Sequence, residues 1–223
     1  MSTTDSNPPA RAGVPPRQHN LQTAVDAAVE ALAHVSPEQL DFLGARPAGA
    51  ATAWLVPVLD DTFHLDLAAR DFRTLSGLAL APAWQVVALH YLAVTARPAP
   101  CTPEITFGDL PGGLTYASVY RQRVNGRLCA TAGRDAATLK ASALHLRAIP
   151  LALGHLGFEF ALFPRLSVRL IWHAGDAEFG PSATILLPRT IEAFFCIEDI
   201  VVLSERLVSR LSGQPYGPPL PTP

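Results

Sequence analysis

At 223 residues, 49% apolar and only 16% charged, the chain has enough material for one large domain whose core needs no disulfide or metal. A net charge of −2 offers no basic field to nucleic acid. No uninterrupted apolar run reaches the ~18–20 residues that a membrane helix takes, and no basic stretch leads into an apolar one at the N-terminus, so the chain is expected to be cytoplasmic.

Residues 1–20, rich in Pro, Ser, Thr and Arg, are expected to form a disordered tail. The folded part should run over 21–213 as a single α+β domain. A first helix is predicted over Leu21–His34, with Leu21, Val25, Ala28, Val29 and Leu32 on one stripe. A short second helix follows, with Ser36 as N-cap, Pro37 at the first position, Gln39 completing a capping box and Gly44 ending it. Ala53–Leu59 and Thr62–Leu67 read as strands joined at Asp60-Asp61, because Phe63, Leu65 and Leu67 alternate with His64 and Asp66.

Pro82–Thr95 is apolar almost all round and should be the central buried helix. A crossing loop over Pro98–Gly113 is expected next, then helices near Thr115–Ala130 and Asp135–Arg147, the second capped by Asp135. Phe158–Phe163, Ser167–Trp172 and Ser182–Leu187 are strand-like, with His173-Ala174-Gly175-Asp176 as a turn. A last helix over Glu198–Leu211 carries Ile200, Leu203, Leu207 and Leu211 on one face. The Pro-rich 214–223 should trail as a second disordered tail. Hairpins rather than repeated βαβ units favour α+β: an antiparallel or mixed sheet of late hairpin strands packed against several helices.

Chemistry-bearing residues are sparse. Cys101, Cys129 and Cys196 lie far apart and read as small buried apolar residues rather than a disulfide or zinc set. Arg121, Arg123 and Arg127 are the densest basic group and read as a solvated face. Trp172-His173-Ala174-Gly175-Asp176-Ala177-Glu178 is the most site-like stretch. His173, Asp176 and Glu178 are candidate metal ligands or an acid–base set, and the same Gly-Asp pair is also ordinary turn chemistry. Such a site requires the acidic turn to face a pocket floored by the final helix. Glu198 and Asp199 sit where that helix starts and read as dipole-favoured caps or ligand-facing carboxylates. His90 has no histidine four residues away and reads as a hydrogen-bonded core histidine. Asp109-Leu110-Pro111-Gly112-Gly113 reads as a tight turn, since it lacks a phosphate-loop continuation. No Gly-x-Ser-x-Gly elbow surrounds Ser118 or any other serine.

An ordered series of short motifs carries a family resemblance. His90-Tyr91-Leu92 and Phe107-Gly108-Asp109-Leu110-Pro111-Gly112-Gly113 come first, then Pro164-Arg165-Leu166-Ser167-Val168 and Leu170-Ile171-Trp172. Gly175-Asp176-Ala177-Glu178-Phe179, Ala183-Thr184-Ile185-Leu186 and Ile197-Glu198-Asp199-Ile200 follow. Over about residues 25–212 the chain resembles the family called domain of unknown function 3786. The resemblance implies an accessory role near corrinoid or one-carbon enzymes. Relatives often carry an adjacent cysteine-rich iron–sulfur segment; this chain has none, and no iron–sulfur cluster is expected. It departs from the family at Leu187-Pro188-Arg189, where an acidic residue is usual, and at Leu146-Arg147-Ala148, where relatives have a glycine pair.

The leading expectation is a binding or accessory module for an unidentified protein partner or small ligand, with Trp172, His173, Asp176, Glu178, Glu198 and Asp199 at the contact surface. Its cofactor, if it has one, is unknown. The alternative is a metal-assisted enzyme using His173, Asp176 and Glu178, and a third reading is a structural subunit with an exposed apolar patch.

Overall fold

The computed structural model describes residues 18–99 and 104–218. The expectations for 1–17, for Cys101 and for 219–223 lie outside the described residues.

Two four-stranded antiparallel sheets and a set of helices make an α+β fold. The first sheet is a meander of β1 (Arg46–Ala48), β2 (Ala50–Val58), β3 (Asp61–Asp66) and β4 (Asp71–Thr74). Its register sets Val56 opposite Phe63 and Leu65 opposite Phe72, so the apolar positions of three strands share one face. The second sheet is a meander of β5 (Ile149–Leu151), β6 (Leu156–Phe163), β7 (Leu166–His173) and β8 (Ser182–Leu186). There Phe158 faces Leu170, which faces Ile185 in turn. The early hairpin therefore builds a sheet of its own, and neither sheet is mixed.

The helices are α1 (Gln18–Leu32), α2 (Pro37–Phe42), α3 (Pro82–Leu92), α4 (Gly113–Tyr120), α5 (Arg127–Ala130), α6 (Ala136–His145) and α7 (Ile197–Leu211). Helix α3 is the central one: Trp84, Val87, Ala88, Leu89, Tyr91 and Leu92 are all buried, and it packs against α1 and α7. One continuous apolar cluster joins it to residues of both sheets. The Ser36 and Asp135 caps form as expected, each accepting from the amide three residues on. Gln39 does not close the expected capping box. Its amide instead donates to the carbonyls of Val94 and Ala96 at 2.9 Å each, tying α2 to the end of α3.

The single helix expected near Thr115–Ala130 is broken. Between α4 and α5, Arg121–Gly126 winds as a π turn, a form built on amide bonds to carbonyls five residues back. No helix among the described residues is long and apolar enough to cross a membrane.

Candidate functional site

The late acidic turn lines neither of the two cavities described below. Trp172 is buried and donates its indole N–H to the Gly133 carbonyl at 2.8 Å. It is a core residue. His173, Asp176 and Glu178 are all exposed. One Asp176 oxygen accepts from the Glu178 and Phe179 amides at 2.8 Å each, and these amides hold its carboxyl below the usual range. That oxygen is committed to closing its own turn. His173 lies edge-on to His155, with ring centroids 5.4 Å apart, rather than over the carboxylates. Among the described residues no three His, Cys, Asp or Glu side chains converge to hold a metal.

Glu198 and Asp199 occupy the first turn of α7, and they part company. Glu198 is exposed, whereas Asp199 is buried and binds His90 Nδ1 at 2.7 Å. His90 is thus hydrogen-bonded as expected, although its side chain keeps 30% exposure. Cys196 precedes them as an exposed residue, not a buried one. Partial burial, with the Asp199 and Glu198 carboxylates adding to it, pushes its thiol up to about 11. A thiol held protonated is a poorer nucleophile than a thiolate. Cys129 is half-buried. The expected tight turn at Asp109–Gly113 closes through the Gly113 amide on Leu110 O at 2.7 Å, while the Asp109 carboxylate accepts from the Thr106 amide at 2.8 Å and hydroxyl at 2.7 Å in the 3-10 turn just before it.

The concavity of the molecule lies elsewhere. Two cavities of about 670 and 570 Å³ both reach Phe42, Arg97 and Arg165, and together they form one groove. Its floor begins at α2. Gly44 takes φ +80° after the helix, its amide bonding Asp41 O at 2.8 Å while that of Ala45 bonds Leu40 O at 2.9 Å. This pair of bonds is a Schellman ending, and it turns the Phe42 ring toward the β6–β7 turn. That turn sits so close that a Cβ on Gly44 would lie 2.5 Å from Pro164 Cβ.

Two guanidiniums lie over the Phe42 ring, Arg165 at 4.6 Å and Arg97 at 5.2 Å from its centroid. Each is pinned through Nε. Arg97 donates to Gln39 Oε1 at 2.8 Å, and Arg165 donates to Phe42 O at 2.7 Å. Tyr91 supports the second of these: its hydroxyl accepts from the Arg165 amide at 3.0 Å and donates to Leu43 O at 2.8 Å. Among the described residues neither guanidinium forms an ion pair with a carboxylate. Arg169, further along, is already bound by Glu104 and Glu159. Glu38 and Asp41 also line the first cavity, and Glu38 is held below its usual range by its own amide, the Ser36 hydroxyl and, to a lesser extent, the Arg97 charge.

None of these groove residues was among the sequence candidates. The only local sign was the Pro164-Arg165 turn, because the groove is assembled across sequence separations as large as 123 residues.

No curated protein and no solved structure matches the chain. The family model for the domain of unknown function DUF3786 matches residues 38–210, a span that takes in both sheets and every groove-lining residue except Pro37. With well over half its length matched, the chain belongs to the DUF3786 family.

Proposed function

We propose that this chain is a binding module of an accessory kind, which holds an extended acidic segment of a partner polypeptide in the groove across Phe42. The observation that carries the reading is the pair of guanidiniums gathered at one aromatic ring, each fixed through Nε and neither paired with a carboxylate among the described residues. Fixed in this way, Arg165 keeps its outer N–H groups for a carboxylate, while Arg97 spends one outer nitrogen on Glu38 O at 3.3 Å and keeps the rest, so both have little side-chain entropy left to lose. The groove carries more charged side chains than a small-molecule pocket, whose polar groups are few. Its walls alternate in sign instead, from Glu38 and Asp41 through Arg97 and Arg165 to Glu104, Glu159 and Arg169. Such a pattern suits a chain crossing it with acidic side chains at the centre. Corrinoid and one-carbon enzymes, which the resemblance implies as neighbours, are the first partners to try.

Metal-assisted catalysis at His173, Asp176 and Glu178 has no comparable support, since Asp176 spends its oxygen on its own turn.

The test is fluorescence anisotropy with labelled acidic, neutral and basic peptides of equal length. The acidic peptide should bind best, with affinity falling as salt rises. The Arg97→Ala/Arg165→Ala double variant should bind it about tenfold more weakly, a loss of about 1.4 kcal/mol. Equal binding of all three peptides, or an unchanged affinity in the double variant, would reject the groove as the site.

A further inference from the structure

The first cavity, of about 670 Å³, has walls that the second does not share: Trp54, Pro37, Pro47, Glu38 and Asp41. Trp54 lies on the apolar face of β2, opposite Pro47 of β1 and Leu65 of β3. Val56 and Leu65 on that face are fully buried, yet Trp54 is only half-buried. Of the three tryptophans, Trp84 and Trp172 are core residues, so Trp54 is the one that reaches solvent.

The two carboxylates stand three residues apart on α2, a spacing that sets them on one side of the helix. Glu38 has a structural account. It sits in the first turn, where the helix dipole favours an acid and its own amide and the Ser36 hydroxyl hold it. Asp41 has none. It sits in the last turn, where the dipole disfavours a carboxylate, and among the described residues its side chain makes no ion pair or hydrogen bond.

An indole face and an unpaired carboxylate recognise the same guest. A cation over tryptophan is attracted by the ring, and the carboxylates supply the opposite charge. Arginine suits both, because its planar guanidinium stacks on aromatic rings and binds carboxylates through paired N–H groups. Arg97 and Arg165 line the same cavity and would repel a lone cation. A cation on the same chain as an acidic residue brings the neutralising charge with it.

We infer that the Trp54 end of the first cavity binds an arginine side chain of the partner segment, seated against the indole with Asp41 and Glu38 as counter-ions. The inference rests on the peptide-binding reading. It makes the ligand a mixed-charge segment, acidic at Arg97 and Arg165 and basic at Trp54, which enters in one direction.

The experiment uses the full chain and the acidic peptide, with one arginine placed in turn at each flanking position on either side. Anisotropy gives the affinity, and acrylamide quenching of tryptophan emission reports Trp54, since the other two indoles are buried. On one side only, arginine should tighten binding about fivefold and shield Trp54 from acrylamide. Citrulline, which has the same shape without the charge, should give no gain. In Asp41→Asn the arginine gain should fall to about twofold or less, while the purely acidic peptide should bind slightly tighter, a like charge having gone. Tightening at every position alike or at none, an equal gain from citrulline, or a full gain in Asp41→Asn would overturn the arginine subsite and leave acidic-peptide binding in place. If the purely acidic peptide fails to bind, or binds undiminished to Arg97→Ala/Arg165→Ala, both readings fall.

Discussion

Arg147 stands where a glycine would be expected from backbone geometry alone. It takes φ +59° at the end of α6, donating to Leu144 O at 3.0 Å, while Ala148 reaches back to Ala143 O at 3.0 Å. Gly44 after α2 and Gly213 after α7 occupy the same place in their helix endings, also at positive φ. The resemblance implies a glycine pair at this point in relatives, and the left-handed turn supplies a physical reason for one. A side chain at positive φ costs ~1–2 kcal/mol, of which glycine's looser unfolded chain takes back ~0.5–1. Arg147→Gly should therefore stabilise the protein by about 0.5–1 kcal/mol in urea unfolding. A measured loss of stability would mean that the exposed guanidinium does more for α6 than its strained backbone takes away. Residue-scale signals of this kind were readable in part. Ser36, Asp135 and Gly44 announce helix ends through their chemistry, whereas an arginine in a left-handed turn announces nothing.

At the scale of elements, long periodic segments were legible and short edges were not. The alternation of β3, the all-round apolar α3 and the amphipathic α7 each bury enough residues to leave a pattern. Strands β1, β4 and β5 have only three or four residues each, and Pro47 and Pro150 stand inside two of them. Proline is compatible with an edge but erases the strand signal. The groove was hidden for a different reason. It exists only because the β6–β7 turn is set down on the end of α2, a contact between residues 44 and 164. Gly44→Ala tests that contact. The new Cβ would lie 2.5 Å from Pro164 Cβ and 2.7 Å from its Cγ, at a backbone φ of +80° that alanine resists. Left-handed strain of ~1–2 kcal/mol and overpacking of ~1–3 kcal/mol should combine to about 2–5 kcal/mol of lost stability. The turn must also move away from Tyr91, so Arg165 should lose its seat and acidic-peptide binding should weaken with it. A cost under ~1 kcal/mol, with binding intact, would show that the turn slides freely and that the groove wall is not fixed there.

Over the whole molecule the clearest departure from expectation is the C-terminal segment. A Pro- and Gly-rich stretch starting at Gln214 reads as a trailing tail, yet Tyr216 is only 3% exposed. Its ring stands edge-on to Phe63 of β3 at 5.1 Å and to Trp84 of α3 at 5.0 Å. Its hydroxyl donates to Asp60 Oδ1 at 2.6 Å, and Arg210 of α7 lies over the ring while binding Asp60 Oδ2 at 2.9 Å. The strap therefore adds to the Arg210–Asp60 pair in joining the β2–β3 turn, α3 and α7, elements far apart in sequence. One aromatic among prolines carries no periodicity, and its partners lie up to 158 residues upstream, so nothing local reveals it. Removing the ring and the bond are separable losses. Tyr216→Ala deletes a buried aromatic and should cost about 3–5 kcal/mol. Tyr216→Phe keeps the ring packing and gives up only the hydroxyl's bonding to Asp60 Oδ1 and Val58 O, for about 1–2 kcal/mol. For a chain of this size each kcal/mol corresponds to roughly 2–4 °C in Tm, which ranks the variants by calorimetry. Trp84 emission should shift to the red in Tyr216→Ala and stay near wild type in Tyr216→Phe, since only the first admits water beside the indole. If both variants unfold with the wild type, the strap is a passenger and the core closes without it.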